Sequence, residues 1–399
     1  MSDAVPLPIG FKTSGLHCGV KSDPSVFDMA LFVSDRPAAL AGVFTQNKVF
    51  GAPVAISRER VPRATGRAVI INSGNSNACT GERGIDDARW MTAETALAID
   101  SDQEDVVVCS TGVIGRFLPL DVIGKGIVRA AAELADTPVA FHNAARGMMT
   151  TDTVTKQTSR TLAVNGKTIR ISAVAKGAAM IGPNMATMLS VVMTDAELTP
   201  EDAQTMLKHA VDRSFNCISV EGHTSTSDTV LLFANGAAAA GPLDDNSKQA
   251  FQSALDDVNS EMAQAIIRDA EGAEHFVTID VLGARSRAEG VRIAKTIAES
   301  ALCKTAIAGA DPNWGRIISA AGYSGVEMVD SDMSLTLNGF EIYRDGAPTE
   351  FSAQAVSDSI RDNRETDIRL QLKHGDADVR FWTSDLTAEY VRLNADYTT

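Results

Sequence analysis

Residues 175–196 read AKGAAMIGPNMATMLSVVMTDA, and this stretch decides how the chain is put together. Gly182-Pro183-Asn184 spells a turn: glycine supplies unusual dihedrals, proline fixes φ, and asparagine tolerates left-handed geometry. The apolar run that follows, 188–193, reads as a buried strand. A hydroxyl, Thr187, therefore stands where a tight turn enters a rigid strand. A threonine hydroxyl is a weak nucleophile at neutral pH and needs a base. If the chain were cut before Thr187, its own α-amine would serve, because an α-amine titrates near neutrality and a lysine ammonium does not. The small residue Ala186 in front of it would let the Thr187 oxygen reach the preceding carbonyl. The plainer reading makes Thr187 the first residue of a buried strand, and these residues alone favour it.

Composition narrows the classes. With 44% apolar and 22% charged residues in 399, the chain is an ordinary globular protein with enough length for a large core or two lobes. The net charge of −15 argues against a nucleic-acid partner, which selects a basic face. It leaves room for an anionic substrate, since a local cationic site can oppose the global field. The cysteines, Cys18, Cys79, Cys109, Cys217 and Cys303, are odd in number and scattered without a CxxC, so reduced thiols are expected. The histidines form no HExxH or HxH pair, and no metal is expected. No basic segment leads into an apolar run at the N-terminus, and no stretch is long enough to span a bilayer, so the expected location is the cytoplasm.

Working outward, strand-like runs MALFVSD and AGVFTQN flank a turn at Arg36-Pro37. A strand over 68–71 leads into the polar stretch NSGNSNACTG, residues 72–81, predicted to be a loop. That loop could cradle a phosphate, but it matches neither GxxxxGK[ST] nor GxGxxG; the alternative is a turn whose amides satisfy buried backbone. A strand over 105–109 runs into STGVIG, where Thr111-Gly112 can present a hydroxyl and an N–H side by side, the pair an oxyanion hole needs. A plain turn explains the same residues. Helices are expected over 120–136 and 246–271, and one starting at Thr199-Pro200, where Thr caps and Pro takes the first helical position. Asn165-Gly166 and Asn338-Gly339 mark hairpins. Asp311-Pro312 starts a helix, either structural or lending its N–H groups to a carboxylate.

Several of these motifs together resemble one family. KGAAMIGPNMATML is similar to the signature of the ornithine acetyltransferase (glutamate N-acetyltransferase) family of arginine biosynthesis, and NSGNSNACTG, STGVIG, MTTDT, SFNCISVEGHTSTSDT, RDAEGA and KTAIAGADPNWGRI extend the likeness over nearly the whole chain. The resemblance implies self-cleavage between Ala186 and Thr187, giving an α chain (1–186) and a β chain (187–399). It implies Thr187 as nucleophile, Thr111 and Gly112 as oxyanion stabilisers, and Thr153, Lys176, Thr187, Glu271, Asn394 and Thr399 as substrate contacts. It implies a four-layer αββα sandwich of the ornithine acetyltransferase or DmpA-like type over 1–284, with a smaller α+β lobe over 285–399. The implied reaction moves acetyl from N2-acetyl-L-ornithine to L-glutamate through acetyl-threonine, without a cofactor, in an α2β2 heterotetramer. Acetyl-CoA, used by some members as a further acetyl donor, stays open. The alternative is a self-processing N-terminal threonine amidase or aminopeptidase of the same fold. Glu221, His223, Ser227, Ala270 and Glu274-His275 depart from the family pattern, which leaves substrate choice open.

Overall fold

The computed structural model describes residues 4–182 and 188–396. Ala186, Thr187 and Thr399 lie outside the described residues.

Two sheets organise the chain. The first runs β4-β3-β2-β9-β7-β6-β5, with β1 also paired to β2. Its strands are β1 (Phe11–Leu16), β2 (Met29–Phe44), β3 (Arg63–Asn75), β4 (Val106–Val113), β5 (Lys156–Val164), β6 (Lys167–Lys176), β7 (Leu189–Thr194) and β9 (Thr229–Ala234). The second runs β13-β12-β11-β14-β10-β15-β8. It comprises the two-residue β8 (Ile218–Ser219), then β10 (Phe276–Ala284), β11 (Met333–Leu337), β12 (Phe340–Arg344), β13 (Ala347–Pro348), β14 (Glu365–Leu372) and β15 (Ala377–Ser384). The lobe change read near Ala284 thus falls at the end of β10, a strand of the second sheet.

β2 explains the layering of the first sheet. The expected turn at Arg36-Pro37 is absent; one sixteen-residue strand runs through it. Its pairing to β3 shifts register between Val33 and Ala38, and the three residues there with exposed side chains, Asp35, Arg36 and Pro37, carry the strand around a bend. Before the bend it pairs with β1 and β3; after it, β3 keeps pairs only at Ala38 and Leu40 while β9 takes Ala39–Phe44. The sheet therefore folds over on itself. Side-chain alternation follows: Ala30, Phe32, Val69, Ile71 and Val107 face Val174, Val191, Met193, Leu231 and Phe233 in a shared interior. The opposite face of the first half, including Leu31, Ile70 and Val108, is covered by α1 (Ala52–Glu59), α2 (Gly81–Ile99) and α3 (Leu120–Ala132). The opposite face of the second half, including Ile171, Val192 and Leu232, is covered by α5 (Pro200–Arg213) and α6 (Asp245–Arg268). This is helix, sheet, sheet, helix: the αββα sandwich. The helix α4 (Pro138–Met148) inserts Phe141, Ala144 and Met148 at the rim of the inner layer.

The second sheet packs on α7 (Arg287–Glu299), α8 (Ala301–Ala308), α9 (Trp314–Gly322) and α10 (Ala353–Arg361), a smaller α+β unit with its own core. The chain closes with α11 (Ala388–Asp396). Asp311-Pro312 precedes α9 rather than starting it. Trp314 stacks on Tyr343 at 5.2 Å and Arg316 donates to the Leu302 carbonyl, a structural role. Among the described residues no helix is long and apolar enough to cross a membrane.

Candidate active site

β3 and β4 run further than the sequence suggests. NSGN of 72–75 belongs to β3 and STGV of 110–113 to β4, two strands paired in parallel, because their polar side chains find partners in the sheet and in the segments packed on it. Ser110 donates to the Asn72 side-chain carbonyl at 2.6 Å; Asn72 donates to the Asn75 carbonyl, Asn75 to that of Phe117, and Asn77 to that of Gly84. The amides of this segment are thus spent on backbone, and the phosphate cradle is not supported. Gly112 sits at φ +128°, and a Cβ there would lie 2.4 Å from the Gly74 carbonyl carbon. Only glycine permits both that dihedral and that approach. The end of β4 can therefore lie hard against β3 with Thr111 buried beside it.

Thr111 meets a second strand end. Lys176 closes β6, is 1% exposed, and donates from Nζ to Thr111 Oγ1 at 3.3 Å. Burial lowers its affinity for a proton, Lys156 adds to that, and Asp152 and Asp228 oppose it. Behind it runs a chain of buried charges. Asp152 accepts from the Gly177 N–H at 2.6 Å and from Lys156 Nζ at 2.7 Å, and Lys156 also pairs with Asp269 at 2.6 Å. Burial works against ionising Asp152, but Lys176, Lys156 and the Gly177 N–H outweigh it and bring its carboxyl down to about 2.

Thr111, Gly112, Glu271 and Asn394 come from three distant parts of the chain and line one cavity of about 100 Å³, together with Ser76, Thr150, Thr151, Ala179 and Met180. Asn394, on α11, donates to Glu271 at 3.0 Å, so the last helix is tied over the end of α6. Thr153 lies next door. It lines an adjoining pocket, which Glu271 also borders, and both its backbone N–H and its hydroxyl donate to Asp269. A hydroxyl and an N–H at a strand end, a cation behind them and a carboxylate opposite are the groups that acyl transfer to an amino-acid substrate calls for.

Sequence reasoning passed over the carboxylates that hold this assembly. Asp152 and Asp228 stood only as letters within the MTTDT and SFNCISVEGHTSTSDT motifs; both are buried. The Asp152–Lys156 spacing carried no signal, since Asp and Lys side chains mostly stay in solvent whatever lies near them in the chain. His223, one departure from the family pattern, is exposed. His275, another, is buried: it hydrogen-bonds Asp385 at 2.7 Å, which raises its proton affinity against the effect of burial. All five cysteines are free. Among the described residues no cluster of three or more His, Cys, Asp or Glu side chains is arranged to hold a metal.

The ArgJ family model matches residues 12–399. This chain belongs to the ArgJ family. It is 43% identical over 396 residues to the arginine biosynthesis bifunctional protein ArgJ of Rhodopirellula baltica, covering 98% of this chain and 96% of that one. Among solved structures it is similar to the arginine biosynthesis bifunctional protein ArgJ of Bacillus halodurans, at 42% identity over 46% of this chain and 96% of that one, with a TM-score of 0.44. It is also similar to the ornithine acetyltransferase of Mycobacterium tuberculosis complexed with ornithine, at 34% identity over 45% of this chain and 96% of that one, with a TM-score of 0.41.

Proposed function

We propose that this ArgJ family member is a glutamate N-acetyltransferase of arginine biosynthesis, moving acetyl from N2-acetyl-L-ornithine to L-glutamate. The observation that carries the reading is the convergence of Thr111, Gly112, Glu271 and Asn394 on one cavity in a chain of that family, with Lys176 directly behind Thr111.

The chain first cuts itself. Thr187 Oγ attacks the Ala186 carbonyl, the C–N bond breaks as the ester forms, and the nitrogen becomes a free α-amine. Water then hydrolyses the ester, leaving the carboxylate on Ala186 and the hydroxyl on Thr187. In turnover the hydroxyl attacks the acetyl carbonyl while the α-amine takes its proton. Thr111 and Gly112 stabilise the oxyanion, and the proton passes to the departing ornithine nitrogen. Glutamate then attacks acetyl-Thr187 by the reverse sequence. One amide replaces another, so the exchange is close to thermoneutral. Thr153, Lys176, Glu271, Asn394 and Thr399 serve as substrate contacts. Lys176 meets the α-carboxylate, which both amino acids share, and Glu271 meets the ornithine ammonium. No cofactor is required, and acetyl-CoA would serve as a second acetyl donor. The cleaved chains assemble as α2β2 in the cytoplasm.

Thr187→Ala tests the reading: an unbroken chain by intact mass and loss of transfer by at least about 10³-fold are expected. An active, uncut variant overturns it. Incubating the parent protein with N-acetylornithine and labelled glutamate separates transfer from hydrolysis. Label recovered in N-acetylglutamate supports an acetyltransferase, and free acetate alone an amidase.

A further inference from the structure

The chain that enters 183–187 and the chain that leaves it are both held by one stretch, 219–229. On the entering side, the Ile181 carbonyl accepts from Val220 N–H at 2.7 Å and from the Ser219 hydroxyl at 3.2 Å, and Ile181 N–H donates to the Glu221 carboxylate at 2.5 Å. Gly182 touches Gly222 so closely that a Cβ on Gly182 would lie 2.5 Å from the Gly222 carbonyl carbon. On the leaving side, Met188 N–H donates to Asp228 Oδ1 at 3.0 Å, and the Met188 carbonyl accepts from Thr229 N–H at 3.2 Å. Asp228 is completely buried, and its second oxygen has no hydrogen-bond partner among the described residues.

We propose that Asp228 is the positioning residue for the nucleophile, gripping the backbone N–H of Met188, the residue that follows Thr187 and leads into β7. The proposal rests on Ala186–Thr187 being the cleavage junction. The two grips are not equivalent. Cleavage puts Ile181 and Met188 on different fragments. The Glu221 contact then holds the end of the α chain, whereas the Asp228 contact continues to hold the residue next to Thr187. A buried carboxylic group is a costly way to satisfy one N–H, and the position it secures is the one that acyl transfer must control most closely. Burial pushes the Asp228 carboxyl well above the ordinary carboxylate range, against the pull of the Met188 N–H, Lys176 and the nearby Thr45 and Ser225 hydroxyls. An amide oxygen in the same place would accept from the Met188 N–H as Asp228 Oδ1 does.

The test uses the full chain. Asp228→Ala is expected to slow fragment formation at least about tenfold. After long incubation, kcat per cleaved molecule should be lower by about 10²-fold, with KM for N-acetylornithine within about twofold. Asp228→Asn keeps the acceptor oxygen and restores both rates to within about threefold of the parent. Glu221→Ala slows cleavage but leaves kcat of the cleaved enzyme at the parental value. The proposal is overturned if folded Asp228→Ala cleaves and turns over like the parent, if Asp228→Asn is as impaired as Asp228→Ala, or if Glu221→Ala lowers kcat equally. Should Asp228→Ala not fold, Asp228→Asn decides: near-parental rates support the proposal, and losses matching those of Thr187→Ala sink it. A parental Asp228→Ala beside an uncut, inactive Thr187→Ala removes this assignment alone. A cut or active Thr187→Ala removes the reading beneath it.

Discussion

Of the lysines buried almost completely in this protein, two, Lys176 at 1% and Lys304 at 3% exposure, have their affinity for a proton lowered by burial. Their surroundings differ. Lys304, on α8, brings its ammonium against β15, donating to Thr383 Oγ1 at 3.0 Å and to the Ser384 carbonyl. Burial brings its pKa down to about 8, against the opposing carboxylates Asp385, Glu221 and Glu299. It joins a helix to the second sheet and does not line the cavity that Thr111 borders. Lys176 has one hydrogen bond among the described residues, to Thr111 Oγ1, beyond which lies the candidate site. A buried charge is expensive in either place. The return differs: Lys304 satisfies backbone and hydroxyl groups and stabilises the fold, whereas Lys176 keeps its bonding capacity for whatever Thr111 faces. Depth and a shifted pKa mark both lysines equally. What stands at the far side of the hydrogen bond separates them.

Mutating each lysine to methionine sharpens or breaks the contrast. Lys176→Met is expected to cost the most in function, about 10²-fold or more in kcat/KM. The thermal midpoint should move little, because Asp152 keeps Lys156 and the Gly177 N–H. Lys304→Met should do the reverse. Leaving the Ser384 carbonyl without its donor costs about 1–3 kcal/mol in denaturant titrations, while kcat/KM of the folded enzyme stays within about threefold. If the Lys304 variant loses activity without losing stability, the division of labour drawn here is wrong.

The smallest effect concerns pH. Burial raises the Glu221 carboxyl from 4.5 to about 7, with the Ile181 N–H and Lys304 opposing it. A carboxyl raised by folding contributes fully below pH 4.5, and that contribution is lost as pH rises through 7. Glu221→Gln should therefore flatten the stability profile between these values and leave it unchanged below 4.5. A parallel profile, merely displaced, would show that Glu221 does not titrate in this window.

Much of the fold could be read from local pattern. The Asn-Gly hairpins, the Thr199-Pro200 cap and the long amphipathic α6 are set by interactions within a few residues, and they stand where the sequence places them. Reading failed where distant pairing overrides local preference. Arg36-Pro37 has turn chemistry but lies in a strand, because β1, β3 and β9 supply partners on either side of the bend. Residues 72–75 look like a loop by composition, yet pair with 110–113, since their polar side chains find acceptors within the sheet and in the elements packed on it. The site residues were named from motif likeness. Their meeting in space could not be read from spacing, because Thr111 and Asn394 are brought together only after the sandwich and α11 have packed.

The order of residues by itself determined the family, the hydroxyl at Thr187 with a small residue before it, and the elements whose hydrogen bonds close locally. Covalent neighbours and short-range dihedral preferences suffice for those. Tertiary structure alone decided which carboxylates are buried beside which cations, how one stretch grips the chain on both sides of 183–187, and which buried lysine stands behind Thr111. These depend on desolvation and on partners far away in the chain, and neither exists until the layers have closed.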